Sequence, residues 1–591
     1  MFRTILTTFF SFCSILSFSQ TIPQDRVVDW SVAGIKDSST AGFTVLDAVA
    51  EGLFNDGQTP CDYPLGSLML NHQEPIIVYF PPGQYLFNSA IPLRSNMLIR
   101  GAGATNTKFI IDHAGSGNGI NILGSVVNGD TSTLIEEATK GANFIRIANP
   151  SLYQSGDWIQ LIQNDSDWVT SSWALNSVGQ IAQVAAVAAD TLYLDATLRM
   201  NYTLSRNPKT KKIIPVSNVG IECLSIERLD NCAPEQASVI HFDYVVNCWV
   251  NGIESNKTTF AHIEASHSSN LSITNSYFHH AFEYGGGGRA YGVMLHFTTN
   301  ECLIYSNIFE RLRHSMIVQA GANGNVFCYN RSIDPYWNEG FFFPSNSAGD
   351  MVLHGNYVYA NLFEQNDGQN IVIDNSHGAN GPHNTFFRNR GSLFGIFFSD
   401  NTSPNQNLVG NEIPNTSAPY STVNYTIQGT GHFVYGNNNK GTIAPSGTSN
   451  LPDTSYYFGQ RPDEIISNMW ASIGTPNVMN SGSIPATYFY NNNQLFANAC
   501  GYTTDLSIGT QELGEATVFP NPAMNDLYVN IEQGGAFELS CMDMSGRLIQ
   551  TWNLVGENNQ IQLEQLATGS YYFRISSEQR QVIRKIVVVR D

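Results

Sequence analysis

The sequence predicts an all-β chain wound as a solenoid, and three observations carry that prediction. A strand-and-turn phrase recurs through the middle of the chain as ECLIYSN, NVFCYNRS, NLFEQN, NTFFRNR and NLVGNE. Each pass brings an asparagine to a matching place: Asn307 to Asn330 is 23 residues, Asn366 to Asn389 is 23, and Asn389 to Asn411 is 22. Within the phrases apolar residues alternate and an Asn or Gly turn follows, as in stacked coils that bury one another's inward faces. Charged residues are only 13% of the 591, while Gly, Asn, Ser and Thr are plentiful, which suits short strands and polar turns better than long surface helices. The recurring asparagines should stack at one turn of the coil, where the side chain tolerates left-handed backbone and bonds neighbouring peptide groups.

Residues 1–20, MFRTILTTFFSFCSILSFSQ, read as a secretory signal peptide: one Arg near the start, an apolar run short for a bilayer span, then small and polar residues. Its removal takes Cys13 and leaves eight cysteines, too sparse for a disulfide-dependent fold; Cys302 and Cys328 occupy matching repeat positions and should face inward. In GFTVLDAVAEGLF, residues Phe43, Leu46, Val49, Ala50 and Leu53 fall on one helical face, predicting a capping helix over Gly42–Phe54 within an N-terminal region, 21–124, that also holds the first coils. From 125 to 217 the rhythm breaks into GANFIRIAN, SGDWIQLIQ, VGQIAQVAAV and DTLYLDATL, a small inserted β subdomain. Its basic run RNPKTKK (Arg206 to Lys212) is either a solvated hairpin tip or an arm that meets an anionic chain. Coils resume at about Val219 and run to roughly Lys440, inside a β-helical region of 218–500 whose end, from Leu451 to Cys500, should be closing packing with a short helix at RPDEIISNMW. A linker, 501–513, precedes a compact set of strands at 514–591, expected to form a C-terminal β-sandwich.

The chemistry is concentrated in one stretch. Ten of the thirteen histidines fall between His241 and His383. Strand alternation with Ile263 inward turns His262 and Glu264 outward, and alternation in YGVMLHF turns out Met294 and His296. His354, Asp374 and His377 stand at comparable places in later coils. An insertion, YFHHAFEYGGGGRAY, sets four glycines among His279, His280, Tyr284, Arg289 and Tyr291, so that backbone can approach a ligand; RLRHS gathers Arg311, Arg313 and His314. Arg grips a carboxylate at two points and His exchanges protons near neutrality, so the cluster points to a site on an acidic ligand. The net charge of −20 argues against nucleic acid as partner.

Two stretches carry family resemblances. IIVYFPPGQYLFNSAIPLRSNMLIRGAG, from Ile76 to Gly103, resembles the first coils of the pectate-lyase-like, right-handed parallel β-helix superfamily; AGIKDSSTAG replaces the Asp-rich segment usual before the cap, so the chain looks like a divergent member. FPNP at Phe519 to Pro522, DMSGR at Asp543 to Arg547, LATGSYYFRI at Leu566 to Ile575 and the tail IRKIVVV resemble the type A C-terminal sorting domain of the bacterial type IX secretion system. That second resemblance implies export through the type IX machinery to the cell surface or beyond, with no transmembrane segment in the mature chain. The first implies action on an extracellular polysaccharide, with calcium a possible cofactor by family resemblance. The preferred reading is a lyase that cleaves a uronate-containing polymer by β-elimination. Arg289 and Arg313 would hold carboxylate, His314 or His280 would be the base and Tyr291 the acid, with Glu264, His279, His296, His354, Asp374 and His377 binding substrate. The alternatives are a glycoside hydrolase using two of Glu264, Glu310, Glu364 and Asp374, and a non-catalytic carbohydrate-binding or adhesive solenoid.

Overall fold

The computed structural model describes residues 21–591 apart from 37, 339–343, 463–472, 475–478, 480–481, 494–515 and, near the C terminus, 521–522, 532–535, 543–547, 564, 568, 577–580 and 591. The signal peptide, the DMSGR motif and most of the RPDEIISNMW helix lie outside the described residues. The chain is a parallel β-helix. One sheet of twelve strands runs along it from Thr44–Asp47 to Phe433–Tyr435, every neighbouring pair parallel. Its register places Ile273, Ile304, Phe327, Phe363, Phe386 and Leu408 on successive rungs. All six are buried in one continuous core, and Phe327, Phe363 and Phe386 stack at 4.8 Å between centroids. Cys302 and Cys328 are buried, unbridged thiols.

Two asparagine columns lock the coils at two corners. In the first, the backbone N–H of Asn307, Asn330, Asn366, Asn389 and Asn411 each donates to the side-chain oxygen of the next asparagine along the axis, ending at Asn437, over 2.9–3.0 Å. Each side-chain amide of these five donates to that same oxygen and to a backbone carbonyl, as Asn366 does to Asn389 and Phe327. The second column, Asn325, Asn361, Asn384 and Gln406, repeats the pattern and was not evident from the repeat phrase. The left-handed backbone falls one residue earlier than predicted, on Ser306, Tyr329, Gln365, Arg388 and Gly410 in the first column. The asparagine is thereby left in ordinary conformation with its amide turned inward along the axis.

The coil face that matters for function is built from six strands: β1 (Ala261–Ser266), β2 (Tyr291–His296), β3 (His314–Val318), β4 (Met351–Leu353), β5 (Asp367–Ile373) and β6 (Arg390–Phe398). They pair in parallel in that order. Residues 125–214 supply a separate six-stranded antiparallel sheet with its own core around Ile159, Leu161, Val184 and Tyr202. The basic run is neither a hairpin tip nor a free arm. Lys209–Ile214 is an interior strand of that sheet, Lys212 pairs with Asp157, and Arg206 pairs with Asp167 while lying 3.6 Å over the Trp168 ring.

The capping helix is also displaced. Thr44–Asp47 is a strand, because its peptide groups pair with Ile76–Tyr79, and the Asp47 carboxylate then accepts the N–H groups of Val49 and Ala50 in a tight turn. The helix is Asp62–Asn71, which buries Leu65 and Leu68; its Pro64 sits in the first turn, where a missing N–H is harmless. Residues 22–36 form a strap along the outside of the coils: Trp30 is fully buried with its indole N–H on the Ala360 carbonyl at 2.7 Å, Arg26 reaches Asn407, and Asn270 holds the carbonyls of Val32 and Gly34. At the other end Arg388 donates to the carbonyls of Leu451 and Pro452, and Glu364 accepts the Tyr456 N–H. The C-terminal domain consists of two antiparallel sheets, of three and four strands, sharing a core of Leu527, Leu539, Phe573, Ile575 and Ile586.

Replacing Asn366 by Ala strips the N–H and side-chain amide of Asn330 of an acceptor and the Phe327 carbonyl of a donor, all buried. At about 1–3 kcal/mol per unsatisfied buried group, Asn366→Ala should lower the denaturation midpoint far more than Asn401→Ala at an exposed turn, as read by chemical unfolding of the two variants side by side.

Candidate active site

The outward residues of β1–β6 form two lines along the axis. One runs Glu264, Met294, Ile317, Val352, Val372 in direct register, an apolar stripe with a carboxylate at its early end. Two residues further along each strand, Ser266 and His296 pair directly, and the backbone bonds Gln319 to Leu295, His354 to Val318 and Asp374 to Leu353 continue the line as Gln319, His354 and Asp374. Between these lines and two flanking walls lies a cavity of about 680 Å³. Trp173, from the inserted subdomain, stands on one wall beside His377; Gly287, Gly288, Tyr291 and Arg313 form the other.

At the later end, His354 Nδ1 lies 2.6 Å from Asp374 Oδ2. Burial opposes ionisation of Asp374, but the close contact and charge of His354, with the hydroxyl and N–H of Ser376, hold it well below the usual carboxylate range. A carboxylate on Nδ1 fixes the imidazole and leaves Nε2 as the working nitrogen. The His354 ring is 4.9 Å from that of His377, which burial and the nearby His354 keep below its ordinary value. At the early end Glu264 accepts from His296 at 3.1 Å and from Ser238 at 2.7 Å, with His241 at 4.0 Å; these partners outweigh burial and keep it ionised below the ordinary range.

The glycine loop and the RLRHS turn do meet. Arg313 donates to the Gly285 carbonyl at 2.8 Å, its backbone N–H to Ala290, and its guanidinium lies 5.9 Å from the Tyr291 ring centroid. The Tyr291 hydroxyl has no hydrogen-bond partner among the described residues, and burial raises its pKa, so it is a protonated phenol facing the cavity at neutral pH. His314 is placed differently from its predicted role. It stacks beside Tyr291 at 5.2 Å, its register partner on the neighbouring strand, is bonded through Nδ1 to the Gly349 carbonyl, and is driven well below its usual range by burial, then by Arg313 and His354.

Arg289 turns away to Glu283 at 3.0 Å, and so does not share the cavity with Arg313. His279 and His280 are on the adjacent coil face: their Nδ1 atoms are 2.9 Å apart and His279 Nε2 meets Glu254. His262 is inward rather than outward, fully buried against Ser255 and the His280 carbonyl, because the strand turns its corner there. Among the four carboxylates considered for hydrolysis, Glu310 is bound by the Tyr277 hydroxyl and Glu364 faces the closing segment. Glu264 and Asp374 remain, on strands four rungs apart, which at roughly 4.8 Å per rung is about 19 Å. Among the described residues no group of three or more His, Cys, Asp or Glu side chains is arranged to hold a metal ion.

Trp173 and Gln319 were not nominated by sequence. Gln319 could have been found by counting one residue past the strand HSMIV, the place His354 and Asp374 hold in theirs. Trp173 could not, because its approach depends on how the inserted subdomain docks.

Fold and site together define a parallel β-helix with an ionisable cleft on one face. Residues 47–176 match the family described as rhamnogalacturonase A/epimerase, pectate lyase-like, and residues 517–589 match the secretion system C-terminal sorting domain. The chain thus carries a stretch that matches a pectate-lyase-like family and, at its C-terminal end, a type IX sorting domain, which directs it to the cell surface or the extracellular space. No curated protein matches the chain. Similar solved structures include the tailspike protein gp49 from Pseudomonas phage LKA1, at 13% identity over 66% of this chain and 77% of that one, TM-score 0.46. PfbA, a surface adhesin of Streptococcus pneumoniae, matches at 10% identity over 63% and 85%, TM-score 0.33, and an exopolygalacturonase from Thermotoga maritima at 10% over 64% and 83%, TM-score 0.30. These are likenesses of architecture alone. No helix among the described residues is long and apolar enough to cross a membrane.

Because the folded pKa of Asp374 is depressed, its pairing with His354 stabilises the protein above the ordinary carboxyl value of 3.8 and is lost as the pH falls through the lower, folded value. Asp374→Asn should therefore destabilise most near pH 7, and the gap from wild type should close in acid; an equal gap at every pH would show that Asp374 is not ionised in the fold. Removal of residues 514–591 should abolish export from the native cell while the purified β-helix keeps its ligand binding, measured on the truncated and full-length proteins together.

Proposed function

We propose that the exported β-helix acts on an acidic polysaccharide, and that it is a lyase cleaving next to a uronate by β-elimination. The observation that carries this reading is the meeting, in one cavity, of a carboxylate-held imidazole, His354 with Asp374, and a tyrosine–arginine pair, Tyr291 with Arg313. Arg313 supplies a fixed cation for the uronate carboxylate, stabilising charge that grows on it as the α-proton leaves. His354 Nε2 takes the C5 proton, and the Asp374 carboxylate stabilises the resulting imidazolium. The electron pair of the C–H bond forms the C4–C5 double bond, the bond from C4 to the glycosidic oxygen breaks, and the Tyr291 hydroxyl gives that oxygen its proton. A phenol kept protonated by burial suits the last role, and an imidazole aligned by a carboxylate suits the first.

Hydrolysis by two carboxylates is the weaker reading on this geometry. Paired acids stand about 5–9.5 Å apart across a scissile bond, whereas the two carboxylates on this face are separated by four rungs and each is engaged by a histidine.

The deciding experiment incubates the purified protein with polygalacturonate, alginate and hyaluronate and follows the ultraviolet absorbance of unsaturated uronate ends alongside new reducing ends. A lyase raises both signals. Reducing ends alone would mean a hydrolase, and retention on the polymers without cleavage a binding protein. On a cleaved substrate, His354→Ala should cost about 10²-fold or more in kcat, Arg313→Lys should also be damaging because an ammonium lacks the two-point grip, and His314→Ala should be milder than either.

A further inference from the structure

We propose that Trp173 is the stacking plate of a second sugar subsite in the cleft, so that the inserted subdomain shares with the β-helix in holding the polymer. This rests on the reading of the cleft as a polysaccharide site and adds a subsite to it. Trp173 lies on the short 3-10 turn Ser172–Ala174 and lines the same cavity as His354, His377 and Arg313. The indole stands nearly perpendicular to the rings of His377 and Phe297, at 5.4 and 5.8 Å, and 48% of the residue is open to solvent.

Here the turn is fixed from three sides. The buried Asp165 carboxylate accepts the N–H groups of Asn176 and Val178 at 2.8 and 3.0 Å. Asn356, on the β-helix, accepts those of Thr170 and Ser171. Trp168 stacks on Tyr357 at 4.4 Å, with Arg206 on the indole at 3.6 Å. A large aromatic held rigid at the edge of a polar cavity gives contact area at little cost in ordering, the arrangement that suits the C–H face of a pyranose. The cavity residues beside it, Phe297, Ser376 and His377, carry no fixed positive charge, so this subsite reads the apolar face and hydroxyls of a ring; the carboxylate is read across the cleft by Arg313. The substrate class is then an oligomer whose uronate lies at Arg313 and Tyr291 while a neighbouring ring, charged or neutral, lies on Trp173.

The test compares wild type, Trp173→Ala and Trp173→Phe by affinity electrophoresis in gels containing polygalacturonate, alginate or hyaluronate, with KM and kcat wherever cleavage is seen. Thermal unfolding of each variant verifies the fold, which a half-exposed residue should leave unchanged. Wild type should be retarded by at least one polymer, Trp173→Ala should bind it about tenfold or more weakly with kcat nearly unchanged, and Trp173→Phe should retain most of the affinity. Retardation that is lost in Trp173→Ala, without cleavage by wild type, would support the subsite and remove the lyase. Cleavage with an unaltered KM in Trp173→Ala would overturn the subsite and leave the lyase standing, and a wild type retarded by none of the polymers would overturn the subsite outright.

Discussion

The structure depends on one repeated hydrogen bond, the donation of a backbone N–H to the side-chain oxygen of the asparagine one coil further on. In the first column that bond joins Asn307, Asn330, Asn366, Asn389, Asn411 and Asn437, all fully buried. A buried amide without its partner is expensive, so the column admits no slip of register. The coil between Asn330 and Asn366 is 36 residues long where the coils on either side are 23, yet the columns stay aligned across it. Everything carried by the coils inherits that alignment, including the stacked phenylalanines inside and the line of His296, Gln319, His354 and Asp374 outside.

The fold was legible because this bond leaves a sequence trace: an invariant residue type at a nearly fixed spacing. Its local conformation was not, since the left-handed residue is the one before, and that position is filled by Ser, Tyr, Gln, Arg and Gly with no common chemistry. The misplaced helix has a different origin. Leu46, Val49, Ala50 and Leu53 satisfy helical spacing, but edge pairing to Ile76–Tyr79 competes for the same peptide groups and wins. In the C-terminal domain, by contrast, the strand-rich phrases mapped directly onto strands, because hairpin pairing is local.

The site was half legible. Glu264 and His296 were named from alternation, His354, Asp374 and His377 from their comparable places in later coils, Tyr291 from the glycine-rich insertion and Arg313 from the RLRHS cluster, and these gather on one face. His262, named from alternation, and His279 and His280, named from the same insertion, lie elsewhere, because alternation gives a direction only within a strand and a coil changes direction at each corner. His314 is on the right strand, in register beside Tyr291, but its ring is held by the Gly349 carbonyl and does not line the cavity. Trp173 has no signal in the repeat at all. It comes from an element whose position is fixed by docking contacts more than 180 residues apart in sequence, between Asn356 and the peptide groups of Thr170 and Ser171.

The strap of residues 22–36 gives the array a property that coils stacked in sequence lack. In an open-ended repeat each unit touches only its neighbours, and the terminal units fray one by one. Here Trp30 is bonded to Ala360, Arg26 to Asn407 and Ile22 to Tyr456, contacts 330 to 434 residues apart. The last coils therefore cannot peel away without releasing the first residues, so the stack opens as a unit or not at all. For a protein working outside the cell, where proteases meet every transient opening, that closed circuit is a defence against digestion.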